Sequence, residues 1–319
     1  MSSEKKIVFL DAATLGKVDF GKLQELGNFV SYPLTYPSER IGRIGDAEII
    51  ITNKVVIDRE VMDHCPSLRL ICIAATGMNN IDLEYASVKG ILVKNVAGYS
   101  TPSVTQMTFA MLFTLMNRVH QADEWIKAGH YSRSLVFSCH DFDFTELASL
   151  RFGIIGMGSI GQHVGSVASA FGAEVVYYST TGENDSVPYK RISLDELLAT
   201  SDIVSIHAPL NDRTKGMIGK KELQWMKPDA YLLNLGRGGI VVEPDLAEAL
   251  DEGWIKGAAL DVFTSEPLPA DHPFLRLKHP EKILLTPHIA WASHEAQQRL
   301  IDKIAENIRR YLHTNSAQP

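Results

Sequence analysis

The stretch Gly153-Ile-Ile-Gly-Met-Gly-Ser-Ile-Gly161 constrains this chain more than any other. It sets Gly156, Gly158 and Gly161 directly behind the apolar run Phe152–Ile155 and at the head of a helix-like segment, Ile160–Phe171. In such a strand–loop–helix unit, one glycine makes the tight turn and the next lets backbone approach a ligand. The third allows the helix to pack closely on the strand. Unpaired N–H groups and the dipole at the helix start favour an anion, so the loop predicts a bound dinucleotide pyrophosphate. A unit of this kind also needs a parallel sheet with right-handed crossovers.

The surrounding sequence supplies that sheet. Phe152–Ile155, Glu174–Tyr178, Ile203–His207, Ala230–Leu235, Gly257–Val262 and Lys282–Leu285 read as strands. Helix-like segments at Leu194–Leu198, Lys220–Met226 and Glu243–Leu250 fall between several of them. A second alternating series occupies the first hundred residues, with apolar runs at Lys6–Leu10, Ala47–Thr52, Leu68–Ile73 and Ile91–Asn95. Continuous apolar runs suit strands covered on both faces. No glycine fingerprint follows any of them, so this half is not expected to hold the cofactor phosphates.

Between the two series, Pro102 to about Trp125 predicts one long apolar helix with Ser100 or Thr101 as N-cap. The last segment, Ser293 to about Leu312, carries Leu300, Ile301, Ile304, Ile308 and Leu312 at helical spacing and is expected to pack back on the first domain.

At 319 residues the chain accommodates two domains of ordinary size. A net charge of −7 argues against a nucleic-acid or anionic-membrane surface. No apolar stretch approaches the roughly 20 residues of a membrane span. The run Ile7–Leu10 is too short for a signal peptide, so a cytoplasmic location is expected. Cys65, Cys72 and Cys139 show no CxxC spacing and read as reduced thiols. No metal site is expected.

Three polar residues of the last third carry candidate chemistry: Arg237 in Asn234-Leu-Gly-Arg-Gly-Gly239, Glu266 in Asp261-Val-Phe-Thr-Ser-Glu-Pro267, and His288 in Thr286-Pro-His-Ile-Ala-Trp291. A guanidinium offers a planar two-point grip on a carboxylate. An imidazole moves protons near neutral pH, and a carboxylate beside it favours its charged form. The set suits a 2-oxo acid whose carbonyl oxygen gains or loses a proton. Behind the strand Val175-Val-Tyr-Tyr178 stands Ser179-Thr-Thr-Gly182, where an NAD-preferring site usually has Asp or Glu. The hydroxyls of Ser179, Thr180 and Thr181 suit a phosphate, yet no arginine stands in that stretch, so NAD and NADP both remain open.

On these stretches, together with Ser201-Asp-Ile-Val-Ser-Ile-His-Ala-Pro-Leu210, the chain resembles the D-isomer-specific 2-hydroxyacid dehydrogenase family over essentially its full length. Within that family, Asn95-Val-Ala-Gly-Tyr-Ser-Thr101 and His288-Ile-Ala-Trp-Ala292 look most like glycerate dehydrogenases, or hydroxypyruvate reductases.

The resemblance implies an oxidoreductase that transfers hydride between NAD(P)H and a small 2-oxo acid such as hydroxypyruvate or glyoxylate. Arg237 would bind the substrate carboxylate, with the amides of Thr76 and Gly77 completing the grip and Trp291 lining the pocket or a dimer contact. His288 would be the acid in reduction and the base in oxidation, and Glu266 would orient it. Cofactor contacts would come from Gly156, Gly158, Ser159, Ile160, Gly161, Ser179, Thr180, His207, Ala208, Pro209, Thr214, Leu235 and Gly236, with Asp261 on the nicotinamide carboxamide. At Val104-Thr105-Gln106 the chain departs from the family's usual Ala and Glu.

The expected fold class is α/β, with two doubly wound parallel-sheet domains, one Rossmann and one flavodoxin-like. Residues 1–100 with the C-terminal helix 291–319 would form the substrate domain, and 101–290 the dinucleotide-binding domain. The long apolar helix and the family likeness favour a homodimer. The alternatives are a D-lactate-type enzyme of another 2-oxo acid and a dinucleotide-sensing, corepressor-like binding protein.

Overall fold

The computed structural model describes residues 5–183 and 187–316; the first four residues and the last three of the expected C-terminal element lie outside them. The chain forms two compact units. One runs to Ser100 and resumes at Trp291; the other is Thr101–Ala290.

The first unit holds five parallel strands: β1 (Lys6–Phe9), β2 (Asn28–Ser31), β3 (Ile49–Thr52), β4 (Leu70–Ile73) and β5 (Leu92–Lys94), in the order β2-β1-β3-β4-β5. That is the flavodoxin-like order. Every residue of β3 and β4 is buried, as continuous apolar runs require. The helix His294–Ser316 covers one face of this sheet, with Leu300, Ile301, Ile304 and Ile308 all fully buried against Ile7, Phe9 and Leu70. Each such side chain contributes about 1.5–3 kcal/mol of burial energy. The helix Arg59–His64 packs Val61 and Met62 on the opposite face.

The second unit holds seven parallel strands: β6 (Arg151–Ile155), β7 (Glu174–Tyr178), β8 (Lys190–Arg191), β9 (Ile203–Ile206), β10 (Tyr231–Asn234), β11 (Gly257–Leu260) and β12 (Ile283–Leu285), ordered β12-β11-β10-β9-β6-β7-β8. The strand order reverses between β6 and β9, the switch point where doubly wound sheets bind ligands. Both sheets match the expected fold class, and the chain wraps them with helices at Ser159–Ala170, Leu194–Thr200, Lys220–Trp225 and Glu243–Asp251.

Three local expectations change. β2 and β8 were absent from the sequence reading, because one is a partly exposed edge strand and the other only two residues long. The single long helix is two, Thr101–Asn117 and Val119–Lys127. Arg118 between them has φ 49°. Its guanidinium lies 5.4 Å from the Phe142 ring centre and donates to the Asp141 carbonyl, tertiary contacts that hold a conformation disfavoured for a residue with a Cβ. Of the apolar side chains of Thr101–Asn117, Val104, Phe109, Met111, Leu112 and Met116 are also buried, and inside the same unit Phe109 packs on Phe152 and Phe113 on Phe171. Large exposed hydrophobics gather further on instead, at Leu135, Val136, Phe137 and Phe144.

The described cysteines are all unpaired, and burial pushes the Cys72 thiol up to about 12. Among the described residues no helix is long and apolar enough to cross a membrane, and no group of three or more His, Cys, Asp or Glu side chains is placed to hold a metal ion.

Candidate active site

The loop between β6 and the helix Ser159–Ala170 uses its three glycines in three ways. Gly156 has φ +94°, and a Cβ there would lie 2.8 Å from the Ala208 amide nitrogen. A Cβ on Gly161 would meet the Gly156 carbonyl oxygen at 2.2 Å, so only glycine lets the helix sit this close to the strand. At Gly158 a Cβ would meet nothing within 4 Å, and no side chain caps the helix behind it. An open space therefore faces uncapped N–H groups at Ser159 and Ile160, the arrangement an anionic pyrophosphate needs.

Beside this loop lies the end of β9. His207 and Ala208 approach Gly156 closely, and the His207 Nδ1 is buried with no hydrogen-bond partner among the described residues. Burial pulls the His207 pKa down to about 3, so the ring is neutral. A shielded, unpaired polar atom beside the glycine loop fits a polar ligand such as a dinucleotide. The next turn is held by Thr214, whose hydroxyl donates to the Pro209 carbonyl and accepts from the Asn211 amide. Gly236, behind Leu235 at the end of β10, closes on the Ala208 carbonyl, which a Cβ would meet at 2.9 Å.

After β7, the Ser179 hydroxyl accepts from the Gly182 amide and donates to the Glu183 carbonyl. No carboxylate stands at Ser179, Thr180, Thr181 or Gly182. A cation does reach this loop: the Arg191 Nη1 donates to the Gly182 carbonyl at 2.9 Å. Sequence reasoning missed it because Arg191 arrives through the register of β8 on β7, where it pairs with Tyr177.

The three candidate catalytic side chains follow three neighbouring strands. Arg237 comes after β10, Glu266 after β11 and His288 after β12. The His288 Nδ1 lies 2.7 Å from the Glu266 Oε2, and the Glu266 Oε1 accepts from the Phe263 amide at 3.0 Å. The side chains keep 24% and 32% of their exposure, so both remain reachable. Gly238 packs against the same loop, since a Cβ there would fall 1.8 Å from the Phe263 carbonyl oxygen. That contact brings the Arg237 turn onto the Glu266 turn. The Arg237 Nη1 donates to the Gly236 carbonyl, and Asn234 braces the turn by donating to the Arg237 carbonyl and accepting from the Gly236 amide.

His288 has φ 54°, a left-handed conformation costing about 1–2 kcal/mol for an L-residue. Asp261 holds it there. Its Oδ1 accepts from the Thr286 hydroxyl at 2.6 Å and the Ile289 amide at 2.9 Å, while its Oδ2 accepts from the Ala290 amide at 2.9 Å. Burial raises the Asp261 pKa, and these hydrogen bonds oppose the rise. Asp261 thus shapes the His288 turn, whatever it also offers a cofactor.

Of the remaining expected site residues, Thr76, Gly77 and Trp291 belong to the first unit. Thr76 and Gly77 follow β4, where the Thr76 carbonyl accepts from the Asn95 side chain. Trp291 packs edge-on to Tyr99, ring centres 6.3 Å apart. In the second unit, the departure at Thr105 gains a local role. Its hydroxyl donates to the Thr101 carbonyl and meets the His163 Nδ1 at 2.8 Å.

Comparison with known proteins gives a consistent picture. Residues 109–290 match the model of the D-isomer specific 2-hydroxyacid dehydrogenase NAD-binding domain. A hydroxypyruvate reductase of Blautia hydrogenotrophica is 38% identical over 316 residues, covering 96% of this chain and 97% of the relative. A glyoxylate reductase of Thermococcus litoralis is 36% identical, covering 85% of this chain and 81% of its own. Among solved structures, an acyclic imino acid reductase in complex with NADPH and D-Arg is similar at a TM-score of 0.87 and 31% identity, covering 97% of both chains.

Proposed function

The chain belongs to the D-isomer specific 2-hydroxyacid dehydrogenase family, and from that premise we propose that it reduces a short 2-oxo acid, hydroxypyruvate or glyoxylate, to D-glycerate or glycolate. The enzyme class is NAD(P)-dependent oxidoreductase. When bound, the dinucleotide supplies the hydride. Gly156, Gly158, Ser159, Ile160 and Gly161 would hold its pyrophosphate, and the ends of β9 and β10 would flank it.

The observation that carries the reading is the His288–Glu266 contact at 2.7 Å. A carboxylate oxygen only accepts, so the His288 Nδ1 carries the hydrogen between them. Its Nε2 is then the nitrogen that gives a proton to the substrate oxygen in reduction and takes one in oxidation. Arg237 binds the substrate carboxylate and polarises the neighbouring carbonyl through its guanidinium. Thr76 and Gly77 are proposed as further carboxylate ligands and Trp291 as a substrate-facing side chain, on the family likeness alone.

The test is oxidation of NADH and of NADPH, measured separately, with hydroxypyruvate, glyoxylate, pyruvate and a bulkier 2-oxo acid. Turnover on none of them, with dinucleotide still bound, would replace this reading with that of a dinucleotide-sensing binding protein. Cofactor choice rests on the Ser179–Gly182 loop and Arg191. We further propose a cytoplasmic homodimer, whose contact is the exposed apolar segment at Leu135, Val136, Phe137 and Phe144 rather than the helix Thr101–Asn117. Sedimentation equilibrium checks it, and a monomer would refute it.

A further inference from the structure

A second glutamate–histidine pair lies in the same unit, and unlike the first it is buried. The Glu243 Oε2 is 3.0 Å from the His272 Nε2, with the side chains 8% and 10% exposed. The His272 Nδ1 accepts from the Phe274 amide at 3.3 Å, at the start of the short helix Pro273–Arg276. A nitrogen that accepts an N–H carries no hydrogen, so His272 is the neutral tautomer that donates from Nε2 to Glu243. The other oxygen of Glu243, Oε1, accepts from the Thr264 amide at 2.7 Å.

Thr264 is the key to what this pair does. The adjacent amide, Phe263, is bonded to Glu266, the residue that meets His288. Two successive N–H groups of one turn are thus taken by two glutamates, one on each side. Glu243 stands at the first position of the helix Glu243–Asp251, six residues beyond Arg237 on the same connection from β10. The preceding Val242 has no capping side chain, and the helix dipole favours a carboxylate in this first turn. Glu243 therefore ties the Arg237 connection to the Glu266 turn, beside the place where Gly238 rests on the Phe263 carbonyl.

We propose that Glu243, held in place by neutral His272, is a positioning residue for proton transfer: by fixing the Phe263–Thr264 peptide it sets the adjoining Phe263 amide, which aims Glu266 at the His288 Nδ1. This rests on the reading of His288 as the proton-transferring group. The titratable groups along the path are Glu243 and His272 at one end and Glu266 and His288 at the other, with Asp261 under the His288 turn.

A glutamine at 243 cannot satisfy both neighbours. Its amide NH2 would face the His272 Nε2–H, and turning the ring over to its other tautomer would set Nδ1–H against the Phe274 amide. The experiment compares wild type, Glu243→Gln, Glu266→Gln and the double variant. It measures kcat and KM against pH, dinucleotide binding by fluorescence, and thermal midpoint. Glu243→Gln is expected to lower kcat about tenfold, with KM and dinucleotide affinity within about twofold. It should move the pH profile in the same direction as Glu266→Gln. The double variant should be little worse than Glu266→Gln alone, because the two residues act on one contact.

If Glu243→Gln only lowers the thermal midpoint, leaves the pH profile unmoved, or multiplies fully with Glu266→Gln, the proposal is overturned while the reading of His288 stands. If Glu266→Gln itself leaves the profile unmoved, that reading falls and takes this proposal with it. Should Glu243→Gln fail to fold, His272→Gln loosens Glu243 without removing it, and the same outcomes apply.

Discussion

The two glutamate–histidine pairs use the same chemical groups at similar separation, 2.7 Å for Glu266–His288 and 3.0 Å for Glu243–His272. They differ in what surrounds the second ring nitrogen. In His272 it accepts a backbone amide inside the fold, and so is committed to structure. In His288 the ring is part-exposed on a turn that Asp261 holds open. The pairing by itself is therefore not enough for catalysis; it must go with an imidazole nitrogen left within reach of a ligand. Exposure separates the proposed proton-transfer pair from the buried one.

The strongest attack on this comparison is to remove each ring. His288→Ala should lower kcat by about 10²- to 10⁴-fold while dinucleotide binding, read by fluorescence titration, and thermal midpoint hardly change. Near-normal reduction by that variant would end the assignment. Arg237→Ala should act next most strongly, mainly through KM. Loss of a charged hydrogen-bonding partner of about 1.5–3 kcal/mol predicts roughly a 10- to 100-fold rise, checked by steady-state kinetics. His272→Ala should show the opposite balance to His288→Ala. Leaving the buried Glu243 carboxylate short of a donor should cost about 1–3 kcal/mol in denaturant unfolding, with the smaller part of the effect in turnover. If His272→Ala proved as inactive as His288→Ala at unchanged stability, the division between working pair and brace would fail.

A third histidine sharpens the point at the smallest scale. His207 has a folded-state pKa near 3 against an ordinary 6.5, so the folded protein resists a proton that the unfolded chain accepts. Its contribution to stability is intact above pH 6.5 and is lost as pH falls from there toward 3. Urea unfolding across that range should show a shallower acid loss for His207→Leu than for wild type; parallel curves would contradict the buried neutral state.

Much of this was legible in the amino-acid order. Continuous β-branched runs announced the parallel strands, and the glycine spacing announced the loop that Gly156 and Gly161 build. Arg237, Glu266 and His288 stood out because each follows a strand of one alternating series, so parallel order alone sends them to the same edge of the sheet. Less visible were the breaks and braces. Asn117-Arg118 carries no glycine or proline, so nothing local predicts the turn that Phe142 and the Asp141 carbonyl stabilise. Arg191 lies in a two-residue strand with no pattern of its own.

Local propensity and periodicity therefore determined most of the elements and their order, and the chemistry of short stretches picked out the three candidate side chains, because those depend on neighbours along the chain. The family resemblance already paired Glu266 with His288; tertiary structure decided that this pair sits on an open turn and that His272 is closed in with Glu243. It also decided that Asp261 bends the His288 turn and that Arg191 reaches Gly182. Those choices depend on register, burial and hydrogen bonds between segments distant in sequence, and no single stretch of the chain encodes them.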